Sequence, residues 1–493
     1  MTAMARKTRS SAAKPRKVAR KATRKSAARS PKRASKQAAQ DVSIRMYRLG
    51  VGDCFLLRFP TRQGDFTMLI DCGVHMAQSG GTTLIKQVAE HIMQTTGGRL
   101  DVLVATHEHW DHISGFRDAK VQFKDLKADR LWLAWLENPE EEFKRRYKEH
   151  RRQSLALIEE ASKHAGFGAN RSRLGILQGF FGDDRGVKLM EAGDNLRSKC
   201  AAGATFLRPG QAPIELPGNR ARVFVLAPPE DIAAIKKDQP SSGARSEVYP
   251  LAARELGAAA FAACVQGRGQ PFDRRYTLPL SLALGLDFFQ SNYTAVRATQ
   301  PASALPPVDA VGTPAEEDLT QDWRRIDHDW LQGATQLALA LDSDTNNTSL
   351  VLAIELGPPQ ATDNPVLLFA GDAQVGSWLT WSRVEFPEYH GRQITGADLL
   401  RRTKVYKVGH HASHNATARA EGLERMEALD LALIPTDAKM AEKVDWGTIP
   451  WAALLTRLEE KTKKRVLRTD LAAPAKLDGF KLERNDLFYE VSF

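Results

Sequence analysis

The chain lacks most of the features that would place it quickly. No apolar run approaches the roughly 18–20 residues of a membrane-spanning helix, so no span is expected. The first residues are basic but have no apolar segment behind them, which argues against a secretory leader. Cysteine is scarce: Cys54, Cys72, Cys200 and Cys264 are the four in 493 residues, and no two form a C-x-x-C pair. That spacing argues against a thiolate zinc site or a disulfide framework, and it fits a reducing, cytoplasmic compartment. No solenoid-type repeat is visible. One further absence is local: residues 1–40 hold 14 Lys and Arg but no Asp or Glu.

That local absence explains the net charge of +11. Of the 70 basic residues, 56 remain beyond residue 40 against 59 acidic ones, so the body is slightly acidic and the basicity is a tail. The tail has one Val and two Met as its sizeable apolar residues, too little surface to fold alone, and it reads as disordered. It is similar to the Lys/Ala/Pro tails of linker histones and bacterial histone-like proteins. Lys14, Arg16, Lys17, Arg20, Lys21, Arg24 and Lys25 would bind nucleic acid without sequence preference by releasing counterions, and would associate the protein with the nucleoid. Two other readings stay open: a solubility tail, and an acid-free, Arg/Ser-rich transit peptide.

Order is expected from Asp41. VSIRMYRLG, DCFLLRFP and FTMLIDCG read as strands parted by turn residues, and 82–96 carries helical spacing. LDVLVAT reads as a short buried strand. Residues 139–165 look helical and highly charged. Residues 231–340 turn Ala-, Gly- and Pro-rich, with helical stretches and a loop, and read as a mostly helical insertion and a cap over the site. Strand alternation returns in NNTSLVLAIEL, PVLLFAGDA, KVYKVGHHAS, LDLALIPTDA, KRVLRTDL and LFYEVSF. The expected layout is a tail (1–40), the two halves of one α/β domain (41–230 and 341–493), and the insertion between them.

The segment carrying chemistry is THEHWDH, residues 106–112, directly after the buried strand LDVLVAT. Strand-end loops of layered α/β folds usually hold ligands. The alternation in H-x-H-x-D-H throws His107 and His109 to one side, and Asp111 and His112 to the other. One loop can then hold two divalent metals a few ångströms apart, which can deprotonate a bridging water and stabilise a leaving oxygen. For a single histidine, simple hydrogen bonding within a loop would be the better reading, but four spaced ligands argue against it.

THEHWDH is similar to the H-x-H-x-D-H signature of the metallo-β-lactamase superfamily. In their order, LGVGDCFLLRF, LIDCG, THEHWDH, NNTSLVL, FAGDA and VGHHASH also resemble the hydrolase domain of ComEC-type DNA-uptake competence proteins. The resemblance covers roughly 41–116, 185–230 and 340–493, and implies an αββα sandwich with two divalent ions, zinc or manganese. It implies that His107 and His109 bind the first metal, that Asp111, His112 and one of His410/His411 bind the second, and that Asp372 bridges them. His410, first after its strand, is expected to be the ligand, leaving His411 and His414 for support or proton transfer. Asp71 is expected to buttress the histidine loop.

Two departures stand out. A third histidine for the first metal is missing, and Asn346, Asn347 and Ser349 occupy its place. Neutral oxygen donors there would leave that metal weaker or favour manganese. The membrane channel of competence proteins is also absent, so transport is not implied.

The leading expectation is therefore a phosphodiesterase or nuclease using a metal-bridged hydroxide, with Asp111, Asp372 and His411 as its catalytic groups. The alternatives are a small-molecule ester, lactone or phosphodiester hydrolase, and a nucleic-acid-binding scaffold whose metal site is structural or inactive. Arg401, Arg402, Lys404 and Lys407 could give the body a basic groove, and Trp110, Trp132 and Trp135 could offer a stacking surface or simply an apolar wall.

Overall fold

Alternation along the strands sorts side chains into three cores. In β2 (Phe55–Thr61), Phe55, Leu57 and Phe59 enter one core while Leu56 enters another. In β9 (Val351–Leu356), Leu352 and Ile354 share the first of these cores, and Val351 and Ala353 enter a third. The shared core lies between two sheets, because a period of two points successive residues to opposite faces. The computed structural model describes residues 41–142, 187–218, 220–237, 342–443, 446 and 448–493, with the single positions 145, 149, 153, 286 and 287. Asp41–Phe493 form one compact unit.

The first sheet contains β1 (Ser43–Tyr47), β2, β3 (Gly64–Ile70), β4 (Arg99–Val104), β5 (Lys127–Ala134) and β6 (Ala204–Leu207), with β15 (Phe488–Ser492) and then β14 (Lys481–Arg484) beyond β1. The second runs β13 (Val466–Arg468), β12 (Leu431–Ile434), β11 (Thr403–Lys407), β10 (Val366–Phe369), β9, β8 (Ala221–Ala227) and β7 (Ile214–Glu215). The helix Gly81–Thr96 lays Ile85, Val88, Ala89 and Ile92 on the outer face of the first sheet, at the spacing of one helical stripe. Helices Val375–Trp381, Gly396–Arg401 and Ala452–Lys461 cover the second with Trp378, Trp381, Leu399, Leu400, Leu454 and Leu458. The result is a mixed α/β arrangement with helices outside two stacked sheets.

The sequence halves do not correspond to the sheets. β7 and β8, from the expected N-terminal half, belong to the second sheet, while β14 and β15 close the first by pairing Ser43–Tyr47 with Phe488–Ser492. β5 was not read as a strand because KADR at its start masks the alternation that LWLA resumes. The expected tail, most of the insertion and most of the 139–165 helix lie outside the described residues. No described helix is long and apolar enough to cross a membrane.

β3–β6 run parallel, as do β10–β13. Asp71, the histidine loop, Asp372 and the His410–His411 turn follow the carboxyl ends of β3, β4, β10 and β11, and so converge.

Candidate metal centre

Backbone contacts hold the loops together before any side chain acts. Cys72 N–H donates to His112 O (2.7 Å), Asp53 N–H to Asp111 O (3.0 Å) and Gly73 N–H to Asp53 O (3.1 Å). Gly73 must be glycine for this fit, since a Cβ there would lie 2.3 Å from the Asp111 carbonyl carbon. From the helix Val187–Arg197, Arg197 Nη2 donates to Glu108 Oε1 (2.6 Å), gripping the histidine loop from outside.

Asp111, His112, Asp372 and His411 are buried, with ligand atoms all within 4.8 Å of one another. The fold decides which imidazole nitrogen faces inward. His112 Nδ1 lies 2.8 Å from Asp71 Oδ2, and His411 Nδ1 lies 2.9 Å from the Pro435 carbonyl. Carboxylate and carbonyl can only accept, so both Nδ1 atoms carry the proton and both Nε2 atoms turn to the carboxylates. His112 Nε2 is 3.1 Å from Asp372 Oδ2, and His411 Nε2 is 3.1 Å from Asp111 Oδ2 and 3.5 Å from Asp372 Oδ2. Each Nε2 can face a carboxylate oxygen only through a proton or across a cation. Asp111 Oδ1 and His112 Nε2 make no hydrogen bond among the described residues, so the donors present suit a divalent metal.

Asp71 lies against the start of the histidine loop. Thr106 donates to its Oδ1 through N–H (2.8 Å) and to its Oδ2 through the hydroxyl (2.7 Å). His107 and His109 form a second pair, with His107 Nε2 3.0 Å from His109 Nδ1. The outer nitrogen of His107 meets the hydroxyls of Thr106 (3.1 Å) and Ser349 (3.3 Å).

The geometry separates His410 from His411 differently from the sequence reading. His410, His411 and Ala412 all take positive φ (41°, 53° and 63°), a left-handed run rare outside glycine. This turn brings His411 to the carboxylates. The His410 ring instead meets Ser413 Oγ (2.8 Å), Gln374 Nε2 (3.3 Å) and Asn346 Nδ2 (3.3 Å). His414 stands half-buried near His410. Ser349 Oγ accepts from Asp372 N–H (3.1 Å). Asn347 is a staple: its amide donates to the Ile235 and Lys237 carbonyls and accepts from the backbone of Gln374.

Sequence reasoning gave no site role to Asp53, Lys407 or Asp342. Lys407 Nζ is buried between Asp53 Oδ2 and Asp372 Oδ1, the latter at 3.2 Å. Asp342 is buried near His109, its Oδ1 3.8 Å from His109 Nε2. The GVGD turn was visible in the sequence, but nothing local showed that its Asp53 would meet Lys407. His75 is also buried close by, and burial pushes its pKa down to about 4.

Charge follows from this packing. Burial opposes protonation of His112, but Asp372, Asp111, Asp71 and Asp53 outweigh it and hold its pKa well above the usual value. His411 is raised for the same reason, against its own burial, by Asp372 and Asp111. Asp372 is held well below its ordinary value because His112, Lys407 and His411 overcome its burial. His107 is pushed well down by burial and then by His112 and His109. Asp53, Asp71, Asp111, Asp342 and Asp372 are all buried, and Lys407 lies against two of them, Asp53 and Asp372; burial pushes the pKa of Asp53 up and, with Asp111 and Asp372, holds that of Asp342 well above the usual value.

Other expected contacts are not at this centre. Trp110, Trp132 and Trp135 are buried in the cores, so they form an apolar wall and not a stacking surface. Lys407 and Arg402, half of the imagined basic groove, are buried too; Arg402 Nη2 donates to Glu355 Oε2 (2.8 Å). The tail residues Lys14 to Lys25 lie outside the described residues.

Residues 47–174 match the family model described as Metallo-beta-lactamase superfamily. No curated protein matches the chain. The matched segment contains Asp53, Asp71 and the whole histidine loop, while Asp372 and His411 lie beyond it.

Proposed function

We propose that the chain is a metal-dependent hydrolase acting on phosphodiesters, with nucleic acid as the polymer engaged by residues 1–40. The observation that carries the hydrolase reading is the buried quartet of Asp111, His112, Asp372 and His411, with both imidazole Nε2 atoms turned to carboxylates. Its place in a segment matching the metallo-beta-lactamase superfamily supports the same reading.

In this reading Asp111, His112, Asp372 and His411 would hold one ion, and His107 and His109 would offer Nε2 and Nδ1 to the other, with Asp372 available to both. His411 therefore replaces His410 as ligand. Metal ions bound there would supply Lewis acidity and an activated water. Lys407 keeps Asp372 ionised and oriented, and Asp71 keeps the His112 proton on Nδ1. Phosphodiester chemistry and nucleic acid rest on the basic charge of residues 1–40.

A second reading has its own observation. With Lys407, Arg402 and the three tryptophans buried, the described body offers neither the imagined basic groove nor a stacking platform, which favours a small ester or phosphodiester substrate.

The test is cleavage of single- and double-stranded DNA, RNA and a small chromogenic phosphodiester with Zn²⁺ or Mn²⁺, beside His109→Ala and Asp372→Asn. Polymer cutting that both variants abolish is the expected result. Hydrolysis of the small ester alone selects the second reading, and no hydrolysis by metal-loaded protein overturns both.

A further inference from the structure

One buried carboxylate has no part in the reading above. The Asp342 side chain is 8% exposed, and its Oδ1 lies 3.8 Å from His109 Nε2, an ion-pair separation too long for a hydrogen bond. Its Oδ2 is anchored by Asn346 Nδ2 at 3.1 Å. Oδ1 makes no hydrogen bond among the described residues, and an unsatisfied buried carboxylate oxygen is costly. Asn346 Nδ2 also reaches to 3.3 Å from His410 Nε2, so this amide is fixed between two side chains of the site.

His109 presents Nδ1 to His107 Nε2, which leaves its Nε2 on the outer side, where Asp342 stands. The arrangement repeats the Asp71–His112 pairing on the opposite ring nitrogen. Resting on the hydrolase reading, we propose that Asp342 is the positioning carboxylate of His109: it draws the ring proton to Nε2, so that Nδ1 is free to meet the first metal together with His107 Nε2. It thereby strengthens a position that lacks a third histidine. Anionic support makes His109 a stronger donor, and neutral Asn346 braces the anion without ligating.

The test is Asp342→Asn, with Asp342→Ala as a second variant and His109→Ala as control, each titrated with Zn²⁺ against a competing chelator. Asn346 Nδ2 can donate only to the new amide's oxygen, so the amide's NH₂ would face His109 Nε2 and favour the proton on Nδ1. The expected result is one of two Zn²⁺ equivalents bound about 10–100-fold more weakly, with the total at saturation unchanged. Because burial, Asp111 and Asp372 hold the Asp342 pKa well above the usual value, nitrogen spectra of ¹⁵N-histidine-labelled, metal-free protein are recorded at alkaline pH; they should show the His109 proton leaving Nε2 in Asp342→Asn, which a merely structural role would not produce. Thermal melting of the metal-free variants separates misfolding from this effect.

Unchanged affinity and tautomer in both Asp342 variants, while His109→Ala loses one equivalent, would overturn the proposal alone. Loss of a whole equivalent at saturation in Asp342→Asn would overturn it in favour of direct ligation. If His109→Ala itself keeps both equivalents, the assignment of His109 as a ligand fails, and this inference fails with it.

Discussion

At one pole of the site, His112 and His411 each donate Nδ1–H to a group that can only accept, Asp71 at 2.8 Å and the Pro435 carbonyl at 2.9 Å. At the other pole, the outer nitrogen of His107 meets hydroxyls, and that of His109 meets a carboxylate at 3.8 Å. The Thr106 hydroxyl gives its proton to Asp71 and can only accept from His107, while the Ser349 hydroxyl can accept or donate, and 3.8 Å is too long for a hydrogen bond to His109. The first pole is preorganised by the protein and the second is held more loosely. His107, His109 and His112 come from one motif of seven residues, so the difference between their rings lies in what the rest of the chain brings to each.

Exchanging the two adjacent histidines should produce the largest effect. His411→Ala should lose the metal of the braced pole, weakening it by more than the about 100-fold that loss of a buttress costs, and should abolish hydrolysis. His410→Ala should retain both equivalents, as read by metal content after dialysis. The opposite pattern would restore the assignment expected from the sequence.

Next in size is the brace itself. Lys407→Met leaves Asp53 and Asp372 buried without their cation, and should destabilise the metal-free protein by about 3–5 kcal/mol in a denaturant titration. A loss below about 1 kcal/mol would mean that Lys407 does not support that pole. Bound Zn²⁺ should recover part of the loss, since it neutralises the same carboxylates.

The smallest effect concerns protons. Because folding raises the His112 and His411 values above 6.5, their charged forms stabilise the metal-free fold fully below that pH, and the stabilisation is lost as pH rises through the raised values. Metal at this pole must displace those protons, so its apparent affinity should rise with pH and binding should release protons. His107 is pushed the other way and is already neutral at pH 7. Calorimetry in buffers of differing ionisation enthalpy should therefore show proton release in the braced-pole step alone. Equal release in both steps would count against the difference drawn between the poles.

A good part of this was legible beforehand. The strands from Ser43 to Ile70 and the helix Gly81–Thr96 appear where alternation and helical spacing put them. His107, His109, Asp111 and His112 share one loop after one strand, so short-range spacing was enough to bring them out. The choice between His410 and His411 was not legible, because three consecutive left-handed residues decide it and no local residue preference predicts them. Lys407 ends a strand in KVYKV, where alternation alone says nothing of a buried ammonium. Its partner Asp53 lies in the other sheet's first hairpin.

The sequence by itself determined the periodicities of the strands, the helix stripe and the local donor set, because each depends on residues within a few positions of one another. The tertiary structure decided which sheet each strand joins, which histidine faces the carboxylates and which nitrogen it offers. Those choices depend on groups hundreds of residues apart, such as Asp111 and His411, whose buried side chains meet only when the two sheets stack.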